Sequence, residues 1–152
     1  MTTSLNSKNR LIFALDVPDK KEAQRFVKLL QNSVGCFKVG LELFVREGPD
    51  ILKLIKDNSS ADIFLDLKLH DIPATVRGAL RSAANLGVKY IPIHSTEGEA
   101  ILETSKEVKD LGLEVLAVTL LTSMGEGQLH DLGVDPKMKI RDVVLNRALR
   151  AE

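Results

Sequence analysis

The feature that most constrains this chain is an alternation of two hydrophobic periods along its length. Short apolar runs at residues 11–17, 36–43, 63–69, 90–94 and 113–121 read as strands. Between them, apolar residues recur at three- and four-residue spacing, as on one face of a helix. After the first run, Asp19 and Glu22 stand at capping-box spacing, and Ala23, Phe26, Val27 and Leu30 follow at helical spacing. A second helix is expected to run to about Lys56. A third should begin near Pro73, present Val76, Leu80, Ala83 and Ala84 on one face, and stop at Gly87. A fourth should stop at Gly112, and a last helical segment covers residues 140–150. Two helix exits look alike, Leu86-Gly87-Val88-Lys89 and Leu111-Gly112-Leu113-Glu114, one αβ unit apart. Five repeats of strand and helix with no linker predict an α/β domain whose parallel sheet is covered by helices. Two architectures fit: an open doubly wound sheet, or part of a (β/α)8 TIM barrel.

The position of the charges separates the two. In the third run, Leu65, Leu67 and Leu69 alternate with Phe64, Asp66 and Lys68. The leucine face belongs under helices. The other face carries two charges, which would be costly beneath a second helix layer. In a barrel that face points inward, and its upper rim is the active site. Asp16 ends the first run, Lys38 lies between Phe37 and Val39 in the second, and His94 ends the fourth. Singly, each reads as a solvated strand end or a structural ion pair. Together they match a barrel, whose catalytic residues come from the ends of several strands.

Composition narrows the function. There are 21 basic and 21 acidic residues, so the formal net charge is zero. A nucleic-acid or membrane-surface partner would call for a basic excess, whereas a small anionic substrate needs only a local cluster. Cys36 is the single cysteine, which excludes an internal disulfide, reads as a small buried apolar residue, and fits a reducing, cytoplasmic setting. No apolar run approaches the ~20 residues of a membrane span. Residues 1–10 are polar and read as a flexible lead-in to a domain covering residues 11–152.

The segment Asp66-Leu67-Lys68-Leu69-His70-Asp71-Ile72-Pro73-Ala74-Thr75-Val76 resembles the Asp-x-Lys-x-x-Asp signature of the orotidine 5'-phosphate decarboxylase family. The resemblance extends to Ala14-Leu15-Asp16-Val17, Phe37-Lys38-Val39-Gly40, Ile93-His94 and Thr119-Leu120-Leu121-Thr122-Ser123. Related sugar-phosphate enzymes share the short signature. The His70-Asp71-Ile72-Pro73 continuation and Lys38-Val39-Gly40 favour the nucleotide enzyme. Ala74 stands where the family usually has Asn, while Thr75 is retained.

The resemblance implies a cofactor-free lyase that converts orotidine 5'-monophosphate to UMP in pyrimidine biosynthesis, with no metal. It implies a catalytic set of Lys38, Asp66, Lys68 and Asp71, alternating in charge so that each has an opposite neighbour. Lys68 is then the cation beside ring carbon six and the proton donor to it, and Asp66 lies near the departing carboxylate. Asp16 and Lys38 are implied ribose contacts, and Ser123 a pyrimidine contact. Asp71, Ile72 and Thr75 are implied to reach a neighbouring subunit's site, which means a homodimer with shared sites. His94 reads equally as a structural histidine or a ligand contact, and His70 reads as structural. His130 carries no assignment. Gly125 and Gly127 lack the context of a phosphate loop.

A barrel typically needs about 250 residues and takes its phosphate site from the loops after strands seven and eight. The chain has 152 residues and five strand-like runs, so it is expected to be a partial barrel, about the first five βα units, without the phosphate-binding strands. Such a piece would have little activity alone, and it reads as a truncated gene product, a designed or proteolytic fragment, or one chain of a split enzyme whose missing strands another chain supplies. Two other readings stand beside this one: a Mg²⁺-dependent sugar-phosphate decarboxylase or aldolase of the same superfamily, and a non-catalytic truncated barrel subunit.

Overall fold

A computed structural model describes residues 7–96 and 99–151. The strands are β1 (Ile12–Ala14), β2 (Cys36–Gly40), β3 (Asp62–Asp66), β4 (Tyr90–His94) and β5 (Glu114–Val118). The α-helices are α1 (Lys20–Leu30), α2 (Leu41–Glu47), α3 (Asp50–Asn58), α4 (Pro73–Asn85), α5 (Glu99–Lys106), α6 (Glu126–Asp131) and α7 (Ile140–Ala151). All strand pairs are parallel, and the sheet order is β1-β2-β3-β4-β5. A doubly wound sheet reverses its strand order at a switch point. The sequential order here has no reversal and is that of the first βα units of a TIM barrel.

The sheet has one face under the helices and one open. Phe37, Val39, Ile63, Leu65, Ile91 and Ile93 are buried and pack with Leu15, Val27, Ile51, Ile55 and Leu80 into the core. On the other face the register aligns Ala14, Lys38, Phe64, Tyr90 and Glu114 in one row. Ile12 and Leu116 remain exposed there and, with Cys36, Phe64 and Tyr90, line a cleft of about 600 Å³.

Local chemistry explains most boundaries. Asp19 caps α1 by accepting the Glu22 N–H at 2.9 Å. Glu22 itself pairs with Arg25, so the reciprocal half of the capping box is not made. Both flagged glycines are left-handed, Gly87 at φ 67° after α4 and Gly112 at φ 77°, but Gly112 closes a 3-10 turn at Lys109–Leu111, since the helix expected to run to it ends at Lys106. Beyond each exit a backbone N–H joins the preceding strand: Lys89 to the Ile63 carbonyl at 2.9 Å, and Glu114 to the Lys89 carbonyl at 2.8 Å.

Several elements differ from the sequence expectation. The helix expected to reach Lys56 is two helices, because Gly48 turns to φ 62° and Pro49, with no N–H, opens α3. β1 keeps three residues, and beyond it the Leu15 N–H bonds the Lys38 carbonyl at 2.9 Å. β5 stops at Val118 instead of continuing to Leu121. β3 ends at Asp66, where the Leu67 N–H folds back onto the Leu65 carbonyl at 3.1 Å. Ser7–Arg10, read as the end of a loose lead-in, form a 3-10 turn against Gly35. A Cβ on Gly35 would lie 2.6 Å from the Asn9 Cα, so only glycine permits that approach. Residues 1–6 of the lead-in lie outside the described residues.

Candidate active site

The C-terminal ends of β1, β2 and β3 bring three of the sequence-flagged strands' charges together. Lys38 leaves the middle of β2 on the open face, flanked by Phe37 and Val39, both buried. Its ammonium lies 3.5 Å from Asp66 Oδ2 and 3.5 Å from Asp16 Oδ1. Asp66, the last residue of β3, is the best shielded of the group, with its side chain 14% exposed. Its Oδ1 accepts from the Lys68 ammonium at 2.7 Å, a charge-assisted distance. The result is a line of alternating charge, Asp16, Lys38, Asp66 and Lys68. The outer contact is the weaker, since Asp16 is 73% exposed and the distance is at the limit for a hydrogen bond.

Strict alternation would put Asp66 and Lys68 on one face of a continuing strand. The structure joins them by another route. The chain leaves the ladder after Asp66, Lys68 adopts φ 49°, and Leu69 returns to β4. There the Leu69 N–H donates to the Pro92 carbonyl at 2.9 Å, and its carbonyl accepts from the His94 N–H at 2.9 Å. Lys68 is the only non-glycine residue with positive φ among the described residues. A left-handed lysine is uncommon and costs of order 1–2 kcal/mol, the kind of strain that concentrates at functional sites.

The remaining flagged residues stand apart from this line. Asp71, Ile72 and Thr75 are exposed at and just before the start of α4. The Asp71 carboxylate accepts from the Ile72 N–H at 2.7 Å and enters no ion pair among the described residues. Within one chain, therefore, the fourth member of the charge line is Asp16, and the expected Asp71 is not in it. Ala74 is exposed beside them. Ser123 lies in an exposed turn after β5. His94 ends β4, and its ring stacks on His70 with centroids 4.8 Å apart. Sequence reasoning missed that stack and the turn at Lys68. A period-2 pattern carries no sign of either.

Two titrations are displaced away from this line. Burial, reinforced by the Asp62 carboxylate, pushes the Cys36 thiol up to about 11. A hydrogen bond from Lys89 to Glu114 holds that ammonium above the usual lysine range. Among the described residues no group of three or more His, Cys, Asp or Glu could hold a metal ion. No described helix is long and apolar enough to cross a membrane.

Comparison with known proteins matches this chain to one family. The profile described as the orotidine 5'-phosphate decarboxylase / HUMPS family matches residues 9–152. An orotidine 5'-phosphate decarboxylase from Desulfosudis oleivorans is 45% identical over 147 residues, covering 95% of this chain and 59% of the relative. One from Carboxydothermus hydrogenoformans is 44% identical over 142 residues, covering 89% of this chain and 58% of the relative. The crystal structure of orotidine 5'-phosphate decarboxylase from Lactobacillus acidophilus superposes with a TM-score of 0.81 at 31% identity, covering 93% of this chain and 66% of that one. The chain thus spans about three-fifths of the length of the curated relatives it matches.

Proposed function

Since the chain belongs to the orotidine 5'-phosphate decarboxylase / HUMPS family, we propose that the protein it represents decarboxylates orotidine 5'-monophosphate to UMP. The observation that carries the reading is the charge line at the strand ends, above all the 2.7 Å contact between Lys68 and Asp66. In the reaction the bond from ring carbon six to the carboxylate breaks. Carbon dioxide leaves, and the electron pair stays on carbon six. No carbonyl is placed to absorb that charge, so fixed cations must stabilise it. Lys68 supplies the ammonium beside carbon six and then transfers its proton there, to be reprotonated from solvent. Asp66 holds Lys68 from one side and Lys38 from the other, so little reorganisation is needed as charge develops. Asp16 and Lys38 take the ribose, and Ser123 takes the pyrimidine. The chemistry needs no cofactor.

Asp71, Ile72 and Thr75 are assigned to the site of a second subunit in a homodimer. Their exposure supports this: Ile72 is 66% exposed although apolar, and Asp71 has no cation partner among the described residues. Leu41 and Val45, one helical turn apart on α2, are also exposed. Residues 11–152 are assigned to one partial barrel domain. Phosphate binding belongs to the loops after barrel strands seven and eight, and the described sheet has five strands. Remote phosphate contacts support the chemistry by binding energy. The 152-residue chain alone should therefore turn over slowly or not at all. The test is the fall in orotidylate absorbance with the purified chain, with and without a separately produced polypeptide carrying the remaining βα units. Turnover restored by the complement supports the assignment. Mg²⁺-dependent action on a sugar phosphate, with none on orotidylate, would replace it with the sugar-phosphate reading.

A further inference from the structure

We propose that the stacked imidazoles of His70 and His94 form a clamp that positions Lys68. The turn carrying Lys68 is held at two points. On one side Asp66 is paired to β2 opposite Gly40. On the other side Leu69 is pinned to β4 through Pro92 and His94. Lys68 sits between these points with its backbone at φ 49°, a conformation a lysine does not hold by preference. One more contact closes the frame: the His70 ring lies on the His94 ring at 4.8 Å, with the planes 26° apart. His70 directly follows Leu69, so the stack ties together the same two chain segments that the backbone bonds join on the far side of the turn. Without it the Leu69–His94 bond would be the end of a ladder, open to fraying.

The structure thereby gives His94 a role other than binding a ligand. Its ring face is occupied by His70, and its backbone N–H by the Leu69 carbonyl. A planar ring is what the clamp requires, so phenylalanine at either position should serve it and alanine should not. The inference rests on the proposed function only in treating Lys68 as the reacting cation. Its test makes no use of decarboxylation, so a failed clamp and a failed decarboxylase assignment are separately visible.

The test compares the wild-type chain with His94→Ala and His94→Phe, and in parallel His70→Ala and His70→Phe. His70 is exposed, so its variants guard against a general folding defect at His94. Two readouts are needed: amide hydrogen exchange at Leu69 and His94, and the carbon resonance of the Lys68 ε-methylene. In the alanine variants, protection at the two amides should fall roughly two- to ten-fold, the factor one aromatic pair carries. The Lys68 resonance should move toward that of an unpaired lysine, while the Lys89 signal stays in place. Phenylalanine should restore both readouts. Unchanged protection and an unchanged Lys68 signal in both alanine variants would overturn the proposal, as would failure of phenylalanine to rescue.

Discussion

Substituting Lys68 by glycine and by alanine separates the backbone of the turn from its charge. Both variants lose the same 2.7 Å bond to Asp66, so that loss cancels in the comparison. What remains is the conformation at φ 49°. Alanine must hold the left-handed region at about 1–2 kcal/mol, and glycine holds it freely. Against this, glycine gives up about 0.5–1 kcal/mol of extra unfolded-state entropy. The balance favours Lys68→Gly over Lys68→Ala by roughly 0.5–1 kcal/mol. With a urea slope of about 2 kcal/mol/M, the midpoints should differ by about 0.3–0.5 M. Equilibrium urea unfolding followed by circular dichroism reads this directly. Lys38, inside β2, is the internal control, since there alanine should be the more stable of the same two substitutions. Equal midpoints at Lys68, or alanine above glycine, would refute the left-handed turn and the argument built on it.

Other consequences follow from burial and charge. A double-mutant cycle on Lys68 and Asp66 should give a coupling of about 1 kcal/mol. The Lys38–Asp16 cycle should give less than about half of that, because Asp16 is 73% exposed. Phe37→Ala, at a fully buried site, should cost about 3–5 kcal/mol in thermal or urea unfolding, and Val45→Ala, 75% exposed, within about 0.5 kcal/mol of nothing. The Cys36 thiol keeps its proton to about pH 11 in the folded chain, against an ordinary value of 9.0 once unfolded. Below pH 9 both states are protonated. Between the two values the unfolded state binds fewer protons, so stability should fall as pH rises, by on the order of 2 kcal/mol. The fall should be smaller in Cys36→Ala when both are titrated by urea denaturation.

The strands and the side-chain rows were legible because they depend on apolar alternation, which sequence displays. Phe37 and Val39 flanking Lys38 announced a buried strand with one functional face. The left-handed turns at Gly87 and Gly112 were legible because such a turn favours glycine, although the helix before Gly112 already ends at Lys106. Strand ends were not. Leu67, Lys68 and Leu69 continue the alternation of β3, yet the backbone leaves the ladder at Asp66. Hydrogen-bond geometry decides that, and side-chain pattern does not record it. The break between α2 and α3 was written in Gly48 and Pro49 and was overridden by the helical spacing on either side. In the site, Asp16, Lys38 and Asp66 meet because neighbouring parallel strand ends gather their open-face residues, and Lys68 joins them through the left-handed turn beyond β3. Asp71, Ile72, Thr75 and Ser123 were flagged by family resemblance alone, and no contact among the described residues draws them to the charge line.

The most direct test of the account is the turnover number of Lys68→Ala in the complemented assembly, with orotidine 5'-monophosphate as substrate and association of the two polypeptides measured in parallel. Removing the cation from beside the developing charge should lower kcat by at least about 100-fold, while association is unchanged. An assembly that forms normally and turns over at the wild-type rate without Lys68 would contradict the assignment of the charge line as the catalytic centre.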